Sequence, residues 1–299
     1  MKELSDTLLG FRVLGLPRIK EISTEHHDYE KILGTFKEGT PFYVAEFDKR
    51  SVEAIRETTL SADRYFDNLI RSNNLTVFQF DHCKEECLIE ELTSEISEIA
   101  EIGVKNKSTK RRYQEAFWKL TAIMLSSYYK PPKSVNFSLI PLRSGRFVEN
   151  VRHQLFQVQT KRKFVEAKRL DELHIVALEK LTIDKQLLEA TCFELFDAGI
   201  VSGLTVIALL ALMHDLSVPA EVVNIYSPFA SLYGVLNIFS ASRALGFDVY
   251  LYCSTLTFSI NKDLRATNKS KTGKTRLATG DVGDFLSPVL VDGNNRRDL

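Results

Sequence analysis

ELFDAGIVSGLTVIALLALM (residues 194–213) runs from a short apolar segment, through an acidic residue and a small-residue bend, into a long hydrophobic stretch. If CFELF (192–196) is a buried strand, Asp197 lies at its carboxyl end. Ser202, Gly203, Leu204 and Thr205 then form the loop whose last residue opens a helix. The first turn of a helix leaves backbone amides without partners and carries the positive end of the helix dipole, glycine lets a ligand approach the backbone closely, and two hydroxyls add donors. Together they make a pocket for a phosphate, with Asp197 placed to accept hydrogen bonds from hydroxyls on whatever carries it. The alternative is that Ser202 or Thr205 caps the helix and Asp197 satisfies a turn.

Outward from that stretch, short apolar runs alternate with helix-length segments. NFSLIPL (136–142), KFVEA (163–167), CFELF (192–196), AEVVNIYS (220–227) and DVYLYCSTL (248–256) have the composition of strands. Residues 146–157, 205–214 and 232–245 have the length of helices, the last stopped by Gly246. This alternation predicts an α/β fold: a mostly parallel sheet flanked by helices, with ligands collecting beyond the carboxyl ends of the strands. Upstream, ECLIEELTSEISEIAEIG (86–103) spaces Leu88, Ile89, Leu92, Ile96, Ile99 and Ile102 as a helix that Gly103 ends. The basic linker KNKSTKRR (105–112) leads into a second helix stopped by Pro131 and Pro132. Before this helical lead-in, residues 1–80 hold a strand candidate, PFYVAEF (41–47), and a helix candidate over 51–71, and read as an N-terminal α/β extension of unassigned role. Residues 81–299 form the main domain.

Bulk composition excludes several classes. With 39 Lys and Arg against 39 Asp and Glu, the chain has no net charge and no global pull toward nucleic acid or an anionic membrane. Lys2, Glu3 and Asp6 precede any apolar run, unlike a secretory leader. The most apolar window, 204–213, is far shorter than the roughly 20 residues a bilayer requires. A cytoplasmic protein that spans no membrane is expected. Cys83 and Cys87, beside His82, invite a zinc reading, but no second pair completes a site, and a helix face is the expected setting. The six histidines show no ligand spacing, so no protein-bound metal is expected.

Five segments then resemble one family, the uracil phosphoribosyltransferases, members of the type I phosphoribosyltransferase fold. DAGIVSGLT (197–205) resembles the family's ribose-phosphate motif, and LIPLRSG (139–145) falls where the family carries Leu-Arg-Ala-Gly after its first core strand. KRLDE (168–172) with EKL (179–181), DVYLYCSTLTFSIN (248–261) and ATGDVGD (278–284) match further segments in the family's order, so that the resemblance spans about half the chain.

The resemblance implies a set of roles. Ser202, Gly203, Leu204 and Thr205 would cradle the 5-phosphate of phosphoribosyl pyrophosphate, and Asp197 would hold the ribose hydroxyls. Arg143 and Arg169 would face the pyrophosphate, whose oxygens suit guanidinium forks. Ala278, Gly280, Asp281 and Asp284 would line the base site. Phosphoribose would pass to uracil or a related acceptor, with Mg²⁺ held mainly through substrate oxygens. A homodimer is a further expectation from the resemblance.

Departures open two other readings. Leu204 replaces a second glycine of the loop, Thr257 replaces an aspartate, and KTRLATG (274–280) replaces the usual hood over the base. These changes, with the unexplained residues 1–80, also fit a fold repurposed as a nucleotide-sensing regulator or effector, for example in a bacterial toxin or anti-phage module. The Lys-rich stretch 262–276 reads as a solvated loop, and with the linker at 105–112 it offers basic contacts for a nucleic-acid partner; residues 1–80 offer a surface for a protein partner.

Overall fold

The computed structural model describes residues 14–22, 42–57, 75–77, 86–131, 136–141, 145–158, 160–169, 174–181, 185–257, 259–261, 265–269, 275–279 and 282–286. The first half of the chain forms β1 (Arg18–Ile22), β2 (Phe42–Glu46), α1 (Lys49–Glu57), β3 (Leu75–Val77), α2 (Glu86–Ile102), α3 (Lys107–Tyr128), β4 (Asn136–Pro141) and α4 (Gly145–Phe156). There follow β5 (Lys161–Val165), β6 (Ala167–Arg169), β7 (Ile175–Glu179), α5 (Lys185–Glu189), β8 (Cys192–Phe196), β9 (Gly199–Ile200) and α6 (Leu204–Asp215). The last part comprises β10 (Val222–Tyr226), β11 (Phe229–Ser231), α7 (Leu232–Leu245), β12 (Asp248–Cys253), β13 (Thr255–Thr257), β14 (Ser259–Ile260), β15 (Ala266–Lys269), β16 (Thr275–Leu277) and α8 (Val282–Leu286).

The main sheet has six strands in the order β3-β12-β10-β8-β4-β5, all parallel. This is the expected α/β architecture, a parallel sheet flanked by helices. The apolar run at 192–196 becomes an interior strand because both faces are covered. Phe193 and Leu195 join a core with α6 and α7, whereas Phe196 joins a second core with α2, α3 and α4. Beyond the carboxyl ends of β8, β10 and β12 the chain pairs again as a small parallel sheet, β13-β11-β9. This second storey brings the ends of three strands together where ligands gather in such folds.

Helix α6 is apolar all round, and almost every residue from Leu204 to Met213 is buried. A helix of that kind has to be enclosed. One side packs against the main sheet's core; the other meets β1, β6 and β7 of a four-stranded antiparallel sheet ordered β1-β2-β7-β6. β2, from the expected N-terminal extension, thus pairs with β7 of the main domain and carries β1 on its other side, and β3 lies at the edge of the main sheet. The helix candidate over 51–71 is helical at Lys49–Glu57, and residues 58–74 lie outside the described residues.

On the other face, α2 and α3 pack together as the lead-in, with Gly103 in the left-handed conformation at φ 79° and Asn106 capping α3 through Thr109 N–H at 2.8 Å. Arg152 of α4 is fully buried there. It donates to Glu149 at 2.9 Å, to Thr160 at 3.0 Å and to the Tyr129 hydroxyl at 3.3 Å, and its guanidinium lies over the rings of Tyr129 and Phe196. Glu149, equally buried, also accepts from Arg162 at 3.1 Å. The Lys-rich stretch expected as a solvated loop differs: its described parts form β15 and β16, with Ala266 and Thr267 buried. Residues 262–264 and 270–274 lie outside the described residues.

Candidate functional site

A pocket of about 70 Å³ opens at the carboxyl end of β8, lined by Arg169, Asp197 and residues 199–206. The chain reaches it by leaving the sheet at Asp197, whose N–H donates to Tyr226 O at 3.1 Å, before Gly199 and Ile200 pair with β11. Asp197 is largely buried at the pocket's floor, and Gly199 N–H points toward its Oδ1 at 3.5 Å.

Helix α6 begins at Leu204 rather than at Thr205, and its N-cap is Gly203, at φ 81° and ψ −3°. That left-handed conformation favours glycine. The N-cap position thus belongs to Gly203, and neither Ser202 nor Thr205 occupies it as the alternative reading had it. The first turn lines the pocket with the positive end of the helix dipole, the local arrangement that attracts anions. Ser202 is buried and Thr205 half-buried. The Leu204 side chain packs into the main core, so the residue in place of a second glycine directs its bulk away from the ligand space.

Arg169 enters from the other sheet. It ends β6, paired with Val176 of β7, and is exposed at the pocket's rim. Arg143 lies outside the described residues, although β4 ends just before it at Pro141.

Of the base-site expectations, Ala278 is fully buried, Gly280 and Asp281 lie outside the described residues, and Asp284 falls within α8. Two contacts from the lead-in helices fix this segment: Ser97 donates to Ala278 O at 3.0 Å, and the Tyr113 hydroxyl donates to Thr279 O at 2.6 Å. The segment also abuts the pocket, because a Cβ built on Gly199 would lie 3.4 Å from Val282 Cγ2.

Three residues that sequence reading missed hold the loop from behind. Ser231, the N-cap of α7, donates to Val201 O and accepts from Gly234 N–H at 3.0 Å. Asn237 Nδ2 donates to Ser202 O at 3.1 Å. Gly234 lets α7 approach the loop: a Cβ there would meet Val201 O at 2.8 Å and Ile200 Cγ2 at 2.7 Å. Ser231 and Gly234 were visible only as the start of a helix, with nothing local to tell which loop they serve.

Among the described residues, no group of three or more His, Cys, Asp or Glu could hold a metal ion, and no helix is long and apolar enough to cross a membrane. Cys87 is exposed on α2, and Cys83 and His82 lie outside the described residues. Burial pushes the Cys253 thiol up, so it offers no ready nucleophile.

No family model and no curated protein matches this sequence. Solved structures resemble it loosely. A protein of Aquifex aeolicus aligns over 72% of this chain and 99% of its own, at 16% identity and a TM-score of 0.48. Adenine phosphoribosyltransferase from Trypanosoma brucei, in complex with AMP, pyrophosphate and ribose-5-phosphate, aligns over 66% of this chain and 87% of its own, at 9% identity and a TM-score of 0.43. Orotate phosphoribosyltransferase from Mycobacterium tuberculosis, in complex with 5-phospho-alpha-D-ribosyl 1-diphosphate, aligns over 56% of this chain and 88% of its own, at 11% identity and a TM-score of 0.31. At these scores the likeness assigns neither substrate nor activity to this chain.

Proposed function

We propose that this pocket binds phosphoribosyl pyrophosphate and that the protein transfers its phosphoribosyl group to uracil or a related base, releasing pyrophosphate. One observation carries the reading: the N-terminus of α6 behind Gly203, the strand-end carboxylate of Asp197 and Arg169 share one pocket. They match the three parts of that substrate, a terminal phosphate, a ribose diol and a pyrophosphate. The Ala278–Thr279 segment, anchored by Ser97 and Tyr113 and followed by Val282 against Gly199, supplies a wall where the base would stand.

In this transfer the bond from the anomeric carbon to the pyrophosphate oxygen breaks as a bond to the base nitrogen forms, and the base gives up a proton. The sugar passes through a cation-like state. Such a step requires orientation and stabilisation of the leaving anion more than a protein nucleophile. The α6 amides fix the phosphate end, Asp197 fixes the diol and Arg169 faces the departing pyrophosphate. Mg²⁺ on the substrate would neutralise leaving-group charge. Among the described residues the lining contains a single carboxylate, which fits an ion held mainly by substrate oxygens and water.

The test is pyrophosphate release with Mg²⁺, phosphoribosyl pyrophosphate and a panel of bases. Turnover with uracil or a relative, lowered about a hundredfold or more by Asp197→Asn, is expected, on the scale of removing one preorganised transition-state contact. Saturable binding with no release on any base would sink the transfer reaction and leave the pocket as a nucleotide-sensing site.

A further inference from the structure

The N-terminal segment reaches the loop wall of the pocket through one buried side chain and joins the sheet whose opposite edge carries Arg169. Asn237 of α7 is fully buried, and its two ends face different parts of the chain. Nδ2 donates to Ser202 O at 3.1 Å, while Oδ1 accepts from Leu14 N–H at 3.1 Å, across 223 residues of sequence. Leu14 is itself buried in the main core. Four residues later the chain enters β1, which packs on α6 and pairs with β2, which pairs with β7, which pairs with β6 and so with Arg169. Residues 14–22 therefore run from the back of the 202–205 loop to the far edge of the sheet that presents Arg169.

We infer that Asn237 is a positioning residue that makes the geometry of the 202–205 loop depend on the N-terminal segment. The inference rests on the pocket being the sugar-phosphate site. An amide suits the role chemically, because a fully buried Asn can donate to one backbone carbonyl and accept from one backbone N–H in a single rotamer. Without it both backbone groups are left unpaired away from water, which neither tolerates cheaply. Ser202 O belongs to the residue immediately before the Gly203 cap, so a carbonyl held at this point fixes the direction from which the α6 amides meet a phosphate. When residue 14 is in place the loop is held for ligand; when it is displaced, Asn237 Oδ1 loses the N–H that donates to it and the loop loses its anchor.

Two full-length variants separate the ends of the link. Asn237→Asp keeps an acceptor for Leu14 but replaces the donor to Ser202 with a carboxylate oxygen. Leu14→Pro leaves the Asn237 side chain intact and removes the N–H that reaches it; because it also removes the buried Leu14 side chain, Leu14→Ala, which keeps the N–H, is the control for lost packing. Amide hydrogen exchange without ligand, measured below the melting midpoint of each variant, is expected to rise about tenfold or more in both at Ile207, whose N–H bonds to the loop carbonyl of Gly203, the scale of one lost buried hydrogen bond, with exchange in α2 and α3 unchanged. Affinity for ribose 5-phosphate should fall by a similar factor, and the double variant should fall short of the sum of the two. Unchanged Ile207 exchange in Leu14→Pro, or acceleration spread evenly over the whole chain, would overturn the inference. Wild-type protein that shows no saturation with ribose 5-phosphate removes the sugar-phosphate reading instead, while the ligand-free exchange still decides the coupling. Should one variant fail to fold, the exchange of the other decides.

Discussion

Gly203 and Gly234 pack backbone to backbone: a Cβ on Gly203 would lie 2.9 Å from the Gly234 carbonyl oxygen, and a Cβ on Gly234 would lie 2.8 Å from that of Val201. The 202–205 loop can sit against α7 only because both residues lack side chains. Gly203→Ala adds to this clash the strain of a left-handed conformation, and a loss of about 1–3 kcal/mol in denaturant unfolding is expected. Gly234→Ala keeps helical backbone at residue 234 and meets the clash alone. Each should weaken ribose 5-phosphate binding in calorimetry, and an unaltered affinity in both would show that the loop does not need this contact.

In the proposed assignment Arg169 reads a different part of the substrate from the α6 amides. Arg169→Ala should weaken phosphoribosyl pyrophosphate binding by roughly 10- to 100-fold, the range for losing a hydrogen bond to a charged group. Ribose 5-phosphate, which lacks the pyrophosphate, should be barely affected. Equal loss for both ligands in titration would assign Arg169 to the 5-phosphate instead.

Glu149 holds two guanidinium groups through one oxygen, at 2.9 Å to Arg152 and 3.1 Å to Arg162. Arg152 Nε and Glu149 Oε2 have no hydrogen-bond partner among the described residues. Glu149→Ala leaves the Arg152 charge buried without compensation and is expected to cost about 3–5 kcal/mol in chemical denaturation. Replacing the buried pair together, Glu149→Leu with Arg152→Met, should recover much of that. Recovery absent from the double variant would mean that the network acts through more than its charge balance.

Burial first, and then the Glu194 carboxylate, push the Tyr129 phenol from 10.0 up to about 12, and the same two causes raise Tyr226. Both hydroxyls stay neutral in the folded protein where an unfolded chain would already ionise them. Their contribution is therefore complete below about pH 10 and is lost as pH rises toward 12. Denaturation midpoints should drop over that interval together with a cooperative rise in tyrosinate absorbance. Tyr129→Phe should flatten the drop, and gradual ionisation without unfolding would contradict it.

Much of this was legible locally. The interior strand at 192–196, the helix over 232–245 and its left-handed Gly246 follow from apolar runs and a stop signal that need no distant partner. The start of α6 shifted by one residue because Gly203, not a hydroxyl side chain, ends the turn. β1 was not legible: Arg18, Lys20 and Glu21 make it read as polar, and it is a strand because an edge position lets those side chains reach solvent and pair with Glu46 and Lys180. β15 escaped notice for a related reason, since lysines dominate 262–276 while the buried Ala266 and Thr267 carry little hydrophobic signal. Asn237 could not have been found at all, because its partners lie 35 and 223 residues away.

The most direct measurement is a crystal structure with ribose 5-phosphate. The phosphate is expected against the first turn of α6, within hydrogen-bonding distance of the amides that follow Gly203, with the ribose diol on the Asp197 carboxylate. A phosphate found at any other surface, or a first turn of α6 closed by a side chain with the sugar elsewhere, would contradict the assignment of this pocket.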